Sequence, residues 1–137
     1  MNLVTGATGL LGSHVLIELA KRDEPIRAAY RSDTKKAAVE LLFHFYLKEN
    51  ASKKWQQIEW VRADLRDIDD LKNLVKGSTT IYHCAALVSF FKADFEACIQ
   101  QNRYVTAILV DLATQYGVQH FCHVSSTAAI GGKEALV

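Results

Sequence analysis

Short runs of hydrophobic residues alternate along the chain with longer stretches in which hydrophobic residues recur every three or four positions. A short apolar run is typical of a buried strand, whereas the three-to-four-residue spacing is typical of a helix with one buried face. The runs predict strands at 1–5, 26–30, 58–63, 79–84 and 120–124. The spaced patterns predict helices at 12–22, 34–48, 68–75 and 93–116.

This regular alternation of strand and helix predicts a doubly wound α/β fold. Parallel strands require crossover connections, and right-handed crossovers place helices on both faces of the sheet, which explains why the strands are almost continuously apolar. The single proline, Pro25, lies between two predicted elements, and no repeat or Gly/Ser linker interrupts the pattern. We therefore expect one domain over residues 1–137.

Composition and charge narrow the range of partners. The 137 residues are 50% hydrophobic and 23% charged, as in an ordinary globular domain, with 16 Lys and Arg against 15 Asp and Glu. This balance argues against nucleic acid or an anionic membrane as partner. No apolar run approaches the roughly 20 residues that span a bilayer, and no basic and then apolar leader opens the chain. The sequence predicts a cytoplasmic protein without a membrane partner.

The cysteines and histidines do not predict a metal site. Cys84, Cys98 and Cys122 are odd in number and widely spaced in apolar stretches, which favours reduced, buried thiols over disulfides. His120, Cys122 and His123 cluster in sequence, but strand alternation places His123 on the opposite face from the other two. We expect no bound metal.

The strongest chemical signal is a glycine-rich turn, TGATGLLG, between the first predicted strand and the first helix. Gly6 permits a tight turn, Gly9 lets a phosphate approach the backbone, and Gly12 allows close packing of helix on strand. The free N–H groups at the helix start, on Leu10 and Leu11, favour a pyrophosphate. The motif predicts a Rossmann-type dinucleotide-binding fold, with a ligand-free turn as the alternative. A kinase-type phosphate loop is excluded, because no Gly-Lys-Ser/Thr ending is present.

The end of the second strand bears on the choice between the two nicotinamide cofactors. Dinucleotide folds usually carry an acidic residue there, about 20 residues past the glycines, to bind the ribose 2′-hydroxyl. This chain has Arg31, whose guanidinium would pair with a 2′-phosphate and favour NADP, with NAD as the other possibility. An exposed arginine without a role would look the same, and Asp33 would restore an NAD site if the strand ended later.

Polar and small residues follow the later strands. Asp64 follows the third strand and is either an acceptor for the adenine amino group or a helix cap, and Asp67 fits the cap better and leaves Asp64 free. Ala85 and Ala86 follow the fourth strand, where a cofactor would cross the sheet edge, although tight packing would need the same residues. Asn102 falls in the apolar stripe of the fourth helix, so we expect it to be buried and bonded to backbone.

Hydroxyl side chains follow the fifth strand at 125–127, on the side where open α/β sheets bind ligands. With these residues in place, the sequence resembles the extended short-chain dehydrogenases/reductases, a family of NAD(P)-dependent sugar epimerases, dehydratases and dihydroflavonol-type reductases. The resemblance extends over all 137 residues. It rests on Thr5 to Gly12, Ala63 to Leu65, Tyr82 to Ala86, Asn102 with Thr106, and His123 to Ser126 followed by Gly131.

The resemblance implies roles for several of these residues. Asp64 with Leu65 would contact adenine, and Ala85 with Ala86 would line the path of the ribose and nicotinamide. Ser126 would hydrogen-bond the reacting carbonyl or hydroxyl of a small-molecule substrate. The implied activity is hydride transfer between nicotinamide and that carbon, in an NAD(P)-dependent oxidoreductase or epimerase. Residues 26–31 are more similar to the dihydroflavonol-type reductases, in which an arginine also meets the 2′-phosphate.

Two departures from the family pattern matter. Val105 stands where many relatives carry glycine, and no tyrosine is followed four positions later by lysine, the pair that supplies the proton donor in the family. We therefore expect the N-terminal, cofactor-binding part of a longer enzyme, inactive alone and with its sheet truncated after the fifth strand. Unpaired backbone at that edge would favour a homo-oligomer. The alternative is a non-catalytic dinucleotide-binding regulator or scaffold.

Overall fold

A computed structural model of the chain describes residues 1–130. Its centre is a five-stranded sheet in the order β3-β2-β1-β4-β5, in which every neighbouring pair is parallel. The strands are β1 (Asn2–Thr5), β2 (Ile26–Tyr30), β3 (Glu59–Arg62), β4 (Thr80–His83) and β5 (His120–His123). The predicted doubly wound fold is confirmed, and each strand lies within the range that the apolar runs predicted.

The helices agree with the predicted pattern in three places and depart from it in two. They are α1 (Leu10–Lys21), α2 (Asp33–Leu47), α3 (Ala51–Gln56), α4 (Ile68–Val75), α5 (Phe95–Cys98) and α6 (Val105–Gln115). The short helix α3 was not predicted, because its sequence is mostly polar and only Ala51 is buried. The single helix predicted over 93–116 is wrong in detail, since a π-helical segment, Ile99–Tyr104, separates α5 from α6.

Alternate residues of the strands feed two cores on opposite faces of the sheet. Leu3, Ala29 and Ile81 pack with buried residues of α4 and α6, whereas Val4 and Ala28 pack with residues of α1, α2 and α3. Because successive strand side chains point to opposite faces, each central strand is apolar on both sides. The two helical layers therefore hold the sheet edge in a defined place.

The strand order creates a crevice at the carboxyl ends of β1 and β4. From β1 the chain proceeds outward through β2 to β3, then crosses the other face to β4, which pairs with β1 on its opposite side. Connections that leave neighbouring strands in opposite directions open a space between them, and ligands of open α/β sheets bind in that space. The fold thus designates one region for the site.

The expected burial of the cysteines is corrected by the structure. All three cysteines are free thiols, but Cys84 and Cys98 are half-buried and Cys122 is exposed, so the expected burial is wrong. Cys122 lies on β5, and nothing within residues 1–130 covers that face of the strand.

Among the described residues, no group of three His, Cys, Asp or Glu side chains could hold a metal ion. Likewise, no helix in the described part of the chain is long and apolar enough to cross a membrane.

Candidate functional site

A cleft of about 490 Å³ opens at the carboxyl edge of the sheet, where β1 and β4 diverge. Six of the residues that the sequence singled out line it: Gly6, Gly9, Arg31, Leu65, Ala85 and Ala86. They come from the ends of four different strands, so the fold brings together residues up to 80 positions apart, such as Gly6 and Ala86. A concave site built from several strand ends is the usual form of a small-molecule site in this class of fold.

The glycine-rich turn closes one side of the cleft and cannot carry side chains at two positions. Gly6 has φ +64, a left-handed conformation, and a Cβ there would lie 2.6 Å from the backbone nitrogen of Ala85. A Cβ on Gly12 would lie 2.2 Å from the carbonyl oxygen of Gly6. The close contact that Gly12 permits is therefore with the turn itself, rather than with the strand as the motif suggested.

The start of α1 presents backbone N–H groups toward this turn. Gly9 is the N-cap residue, with extended backbone and no side chain to cap the helix, and the first helical bond runs from Ser13 N–H to the Gly9 carbonyl. The N–H groups of Leu10 and Leu11 precede that bond, and no acidic residue stands in the first turn. An uncapped helix start of this kind attracts an anion. The side chains of Leu10 and Leu11 are exposed and are not among the cleft-lining residues.

The end of β2 places two cations in the cleft. Arg31 lines it together with Ser32 and Lys35, whose backbone N–H is accepted by the Ser32 hydroxyl at the start of α2. Asp33, the acidic alternative for a ribose hydroxyl, is not among the lining residues and pairs with Arg62 at 3.7 Å. Lys35 was missed in the sequence, although its position four residues after Arg31 could have indicated it.

Asp64 is engaged by its neighbour Arg66 and does not carry the free carboxylate that we expected. Arg66 donates from Nη2 to Oδ2 at 2.6 Å, from Nε to Oδ1 at 3.0 Å, and from its backbone nitrogen to Oδ1 at 3.0 Å. These bonds to the Arg66 side chain and backbone lower the pKa of Asp64 from 3.8 to about 2. Asp67 caps α4 by accepting the N–H groups of Asp69 and Asp70, as predicted.

A second depression, of about 330 Å³, adjoins the cleft and shares Arg31, Leu65, Ala86 and Gln101 with it. Its walls combine the Arg66 guanidinium with the side chains of Tyr104 and Ile108, from the π-helical segment and α6. Apolar and planar groups beside a few hydrogen-bonding ones suit a flat heteroaromatic ring. Sequence reasoning missed Arg66, Gln101 and Tyr104. Only the packing of the π-helical segment brings Gln101 and Tyr104 here, whereas Arg66 lies in the loop after β3, two residues from Asp64.

Asn102 binds backbone as predicted but is exposed, which corrects the expected burial. Its Oδ1 accepts the N–H of Leu87 and its Nδ2 donates to the carbonyl of Leu87, both at 2.8 Å. The residue lies in the π-helical segment, whose period differs from 3.6 residues per turn, so Asn102 leaves the apolar stripe that an α-helix would have continued. Its effect is to tie the loop after Ala85 and Ala86 to that segment.

Ser126 lies past the end of β5 and is exposed. Its hydroxyl accepts the N–H of Ala128 at 3.2 Å, at the start of the short 3₁₀ turn Thr127–Ile130. It is not among the residues that line the cleft, so the structure does not bring it together with the glycine turn. Gly131, which follows in the sequence motif, lies outside the described residues.

Comparisons with known proteins agree with the fold and the motif. The family model described as NAD dependent epimerase/dehydratase matches residues 2–136. The chain is 33% identical over 129 residues to sterol demethylase protein B of Methylococcus capsulatus, covering 94% of this chain and 35% of that protein. It is 29% identical over 130 residues to a putative dihydroflavonol 4-reductase of Synechocystis, covering 95% and 34%.

Among solved structures, MoeE5 in complex with UDP-glucose and NAD superposes with a TM-score of 0.72 at 25% identity, covering 97% of this chain and 38% of that one. The chain thus spans about a third of the length of the curated relatives that it matches.

Proposed function

Because the chain belongs to the NAD-dependent epimerase/dehydratase family, we propose that its cleft binds a nicotinamide dinucleotide and that it supplies the cofactor-binding part of an oxidoreductase or epimerase. One observation carries the proposal: the glycine turn, the uncapped start of α1 and the loop after β4 converge on one crevice at the point where the strand order reverses. A dinucleotide needs such an extended crevice with an anion site in its middle.

The residues present fit the cofactor. Backbone of the β4 loop and of the turn itself occupies the space that a Cβ on Gly6 or Gly12 would need, so these glycines let the turn close tightly beside the start of α1. The N–H groups of Leu10 and Leu11 would hold the pyrophosphate there. Leu65 and Tyr104 would flank the adenine ring in the adjoining depression. The resemblance implies that Asp64 contacts adenine, and it would do so while its carboxylate stays hydrogen-bonded to Arg66.

The nicotinamide would lie toward Ala85 and Ala86, whose small side chains leave room beside the end of β4. When bound, the nicotinamide supplies or accepts a hydride at a hydroxyl or carbonyl carbon of a small-molecule substrate. The chain contributes orientation of the cofactor, and Ser126 would donate a hydrogen bond to the substrate oxygen. One relative is named as a putative dihydroflavonol 4-reductase, and MoeE5 was solved in complex with UDP-glucose and NAD. Both names are consistent with a small-molecule substrate.

We propose further that the cofactor is NADP, with NAD bound more weakly. Arg31 and Lys35 place two positive charges in the cleft, while Asp33 is turned to Arg62. Charge-assisted bonds from these groups to a 2′-phosphate would favour NADPH over NADH by about 1.5 to 3 kcal/mol. The bonds have no counterpart with a 2′-hydroxyl, so the difference depends on the phosphate.

Fluorescence titration of NADPH and NADH tests this preference. Arg31→Ala should lower the affinity for NADPH about tenfold or more and leave NADH nearly unchanged. Arg22→Ala, which removes the same charge at the far end of α1, should change neither affinity. Equal affinities in the wild type, or a loss that is the same for both cofactors, would contradict the proposal.

We further infer that residues 1–137 alone do not catalyse hydride transfer. Residues 1–137 contain no tyrosine followed four positions later by lysine, and a serine hydroxyl of ordinary pKa is a poor acid or base near neutral pH. We expect this chain to bind the cofactor without oxidising it over a panel of carbonyl compounds. Cofactor-dependent turnover that Ser126→Ala abolishes would show that these residues suffice for catalysis.

A further inference from the structure

A buried histidine lies beneath the cleft at the end of β4. The side chain of His83 is fully buried, and both ring nitrogens have partners on other elements. Nδ1 is 2.7 Å from the hydroxyl of Thr5, the last residue of β1, and Nε2 is 2.9 Å from the hydroxyl of Thr106 in α6. The imidazole therefore connects β1, the strand that leads into the glycine turn, to helix α6.

The partners of Thr106 determine which nitrogen carries the proton. The Thr106 hydroxyl lies 2.6 Å from the carbonyl oxygen of Asn102, and a carbonyl can only accept, so the hydroxyl proton points there. Thr106 must then accept a hydrogen bond from Nε2–H of His83. In a neutral ring Nδ1 is an acceptor, which takes the hydroxyl proton of Thr5.

This chain of hydrogen bonds closes on the loop that lines the cleft. At one end the Thr5 hydroxyl accepts the N–H of Ala85 at 3.4 Å. At the other end Asn102 holds both the N–H and the carbonyl of Leu87. Every donor in the series has one acceptor. Thr5 at one end bonds Ala85, and Asn102 at the other end bonds Leu87, so the series holds the first and last residues of the segment 85–87.

We propose that His83, as the neutral Nε2–H tautomer, is a positioning residue that holds residues 85–87 against the glycine turn and thereby sets the width of the cofactor cleft. The inference rests on the proposed function for its consequence, since the residues it positions are those assigned to the cofactor. The geometry behind it is independent of any ligand. A charged imidazole would turn Nδ1 into a donor toward Thr5, whose hydroxyl proton would then lose its acceptor.

A pair of isosteric substitutions on α6 separates this role from general stability. Thr106→Val and Thr114→Val each remove a hydroxyl that donates to the carbonyl four residues earlier, at 2.6 Å to Asn102 and 3.0 Å to Val110, but only Thr106 meets the imidazole. We expect Thr106→Val to raise the Kd for NADPH about five- to tenfold, and Thr114→Val to leave it unchanged. Thr106→Ser, which keeps the hydroxyl, should restore most of the affinity.

Nitrogen NMR of the imidazole supplies a readout that a purely structural role would not move. In the wild type at neutral pH, Nε2 of His83 should be protonated and Nδ1 should not. In Thr106→Val this tautomer preference should weaken, because Nε2–H loses its acceptor. An Nδ1–H tautomer or an imidazolium in the wild type would overturn the proposal.

Amide exchange keeps the test independent of the cofactor. The amides of Ala85 and Leu87 should exchange faster in Thr106→Val than in Thr114→Val, whether or not NADPH binds. If wild-type protein does not bind NADPH, the proposed function fails while the exchange comparison still decides the positioning role. Equal exchange in the two variants, or equal NADPH affinity where the wild type binds it, would show that His83 does not position the loop.

Discussion

At the scale of single residues, two glycines share a left-handed backbone conformation but differ in how closely other backbone atoms approach them. Gly6 and Gly77 have φ +64 and +78, both in the left-handed region. A Cβ on Gly6 would meet backbone atoms of Cys84 and Ala85 at 2.6 to 2.7 Å, whereas a Cβ on Gly77 would meet nothing within 4 Å. Conformational strain is common to both positions, and close approach to the β4 loop belongs to Gly6 alone.

We therefore predict that Gly6→Ala is more destabilising than Gly77→Ala. The left-handed conformation costs an alanine about 1 to 2 kcal/mol at either site. The clash with rigid backbone at Gly6 should add about 1 to 3 kcal/mol more. Urea unfolding of both variants measures the difference, and equal losses of stability would show that the β4 loop yields freely.

The buried imidazole of His83 gives the stability of the protein a defined pH dependence. Burial, and then the charge of His123, whose ring stacks at 5.4 Å between centroids, lower the pKa of His83 from 6.5 to about 4. As the pH falls, the unfolded chain takes up this proton before the folded protein does. The stabilisation that the neutral, buried imidazole contributes is therefore complete above about pH 6.5. It declines as the pH falls toward 4, where the folded protein also becomes protonated.

We predict that His83→Gln removes this decline. Across that window the wild type should lose roughly 3 kcal/mol more stability than the variant, at up to about 1.4 kcal/mol per pH unit. His44→Gln, at an exposed position on α2, should retain the wild-type pH dependence. Denaturant unfolding at pH 7, 5.5 and 4 makes the comparison, and parallel curves for the wild type and His83→Gln would contradict the assigned shift.

At the scale of elements, the starts of the helices separate structural caps from the candidate anion site. Ser32 caps α2 and Asp67 caps α4 with side-chain oxygens, whereas Gly9 leaves α1 without a side-chain cap. All three helices begin at the carboxyl ends of strands, and the N-cap residues of α1 and α2, Gly9 and Ser32, both line the cleft, but only α1 lacks a side-chain cap there. The uncapped N–H groups therefore occur where an anionic ligand would take the place of a cap.

Asp67→Ala should destabilise the protein by about 1 kcal/mol without changing NADPH affinity. The carboxylate accepts the N–H groups of Asp69 and Asp70 at 2.8 and 3.2 Å, and both lose their partner in the variant. Asp69→Ala removes a charge from the same helical turn but no cap, so it should cost less. Thermal unfolding and NADPH titration measure the two effects, and a matching loss in Asp69→Ala would assign the effect to charge alone.

At the scale of the whole molecule, the sheet is covered unevenly. β1, β2 and β4 each pair on both sides, whereas the edge strands β3 and β5 each pair on one side within residues 1–130. β3 carries Glu59 and Arg62, but β5 has no Lys, Arg, Asp or Glu. Its residues His120, Cys122 and His123 are exposed. An open strand edge with few charges offers unpaired N–H and carbonyl groups to another chain.

We propose that this edge makes the chain self-associate, and we predict that Cys122→Lys weakens the association. A lysine on an edge strand opposes strand pairing between molecules, because its charge would be desolvated. Gln115→Lys adds the same charge at an exposed position of α6 and should have little effect. Sedimentation velocity over a concentration series makes the measurement, and a wild type that remains monomeric throughout would refute the proposal.

Local patterns in the sequence were sufficient for the elements and for the backbone of the site. The run at 26–30 coincides with β2, and the glycine turn has the left-handed Gly6 and the bare helix start that its spacing indicated. Arg31, Leu65 and the two alanines after β4 line one cleft, because parallel strands bring their carboxyl ends to the same edge. Side-chain period, chirality and turn geometry act over a few residues, so a sequence read alone contains them.

Only the tertiary structure decided which groups meet across those elements. It placed Gln101 and Tyr104 beside the strand ends and left Cys122 uncovered on β5. It also joined Thr5, His83 and Thr106 into one series of hydrogen bonds, although these residues are 78 and 23 positions apart in sequence. Such contacts depend on the crossing of whole helices over the sheet and on the competition of several partners for one polar group, and neither is determined by local spacing.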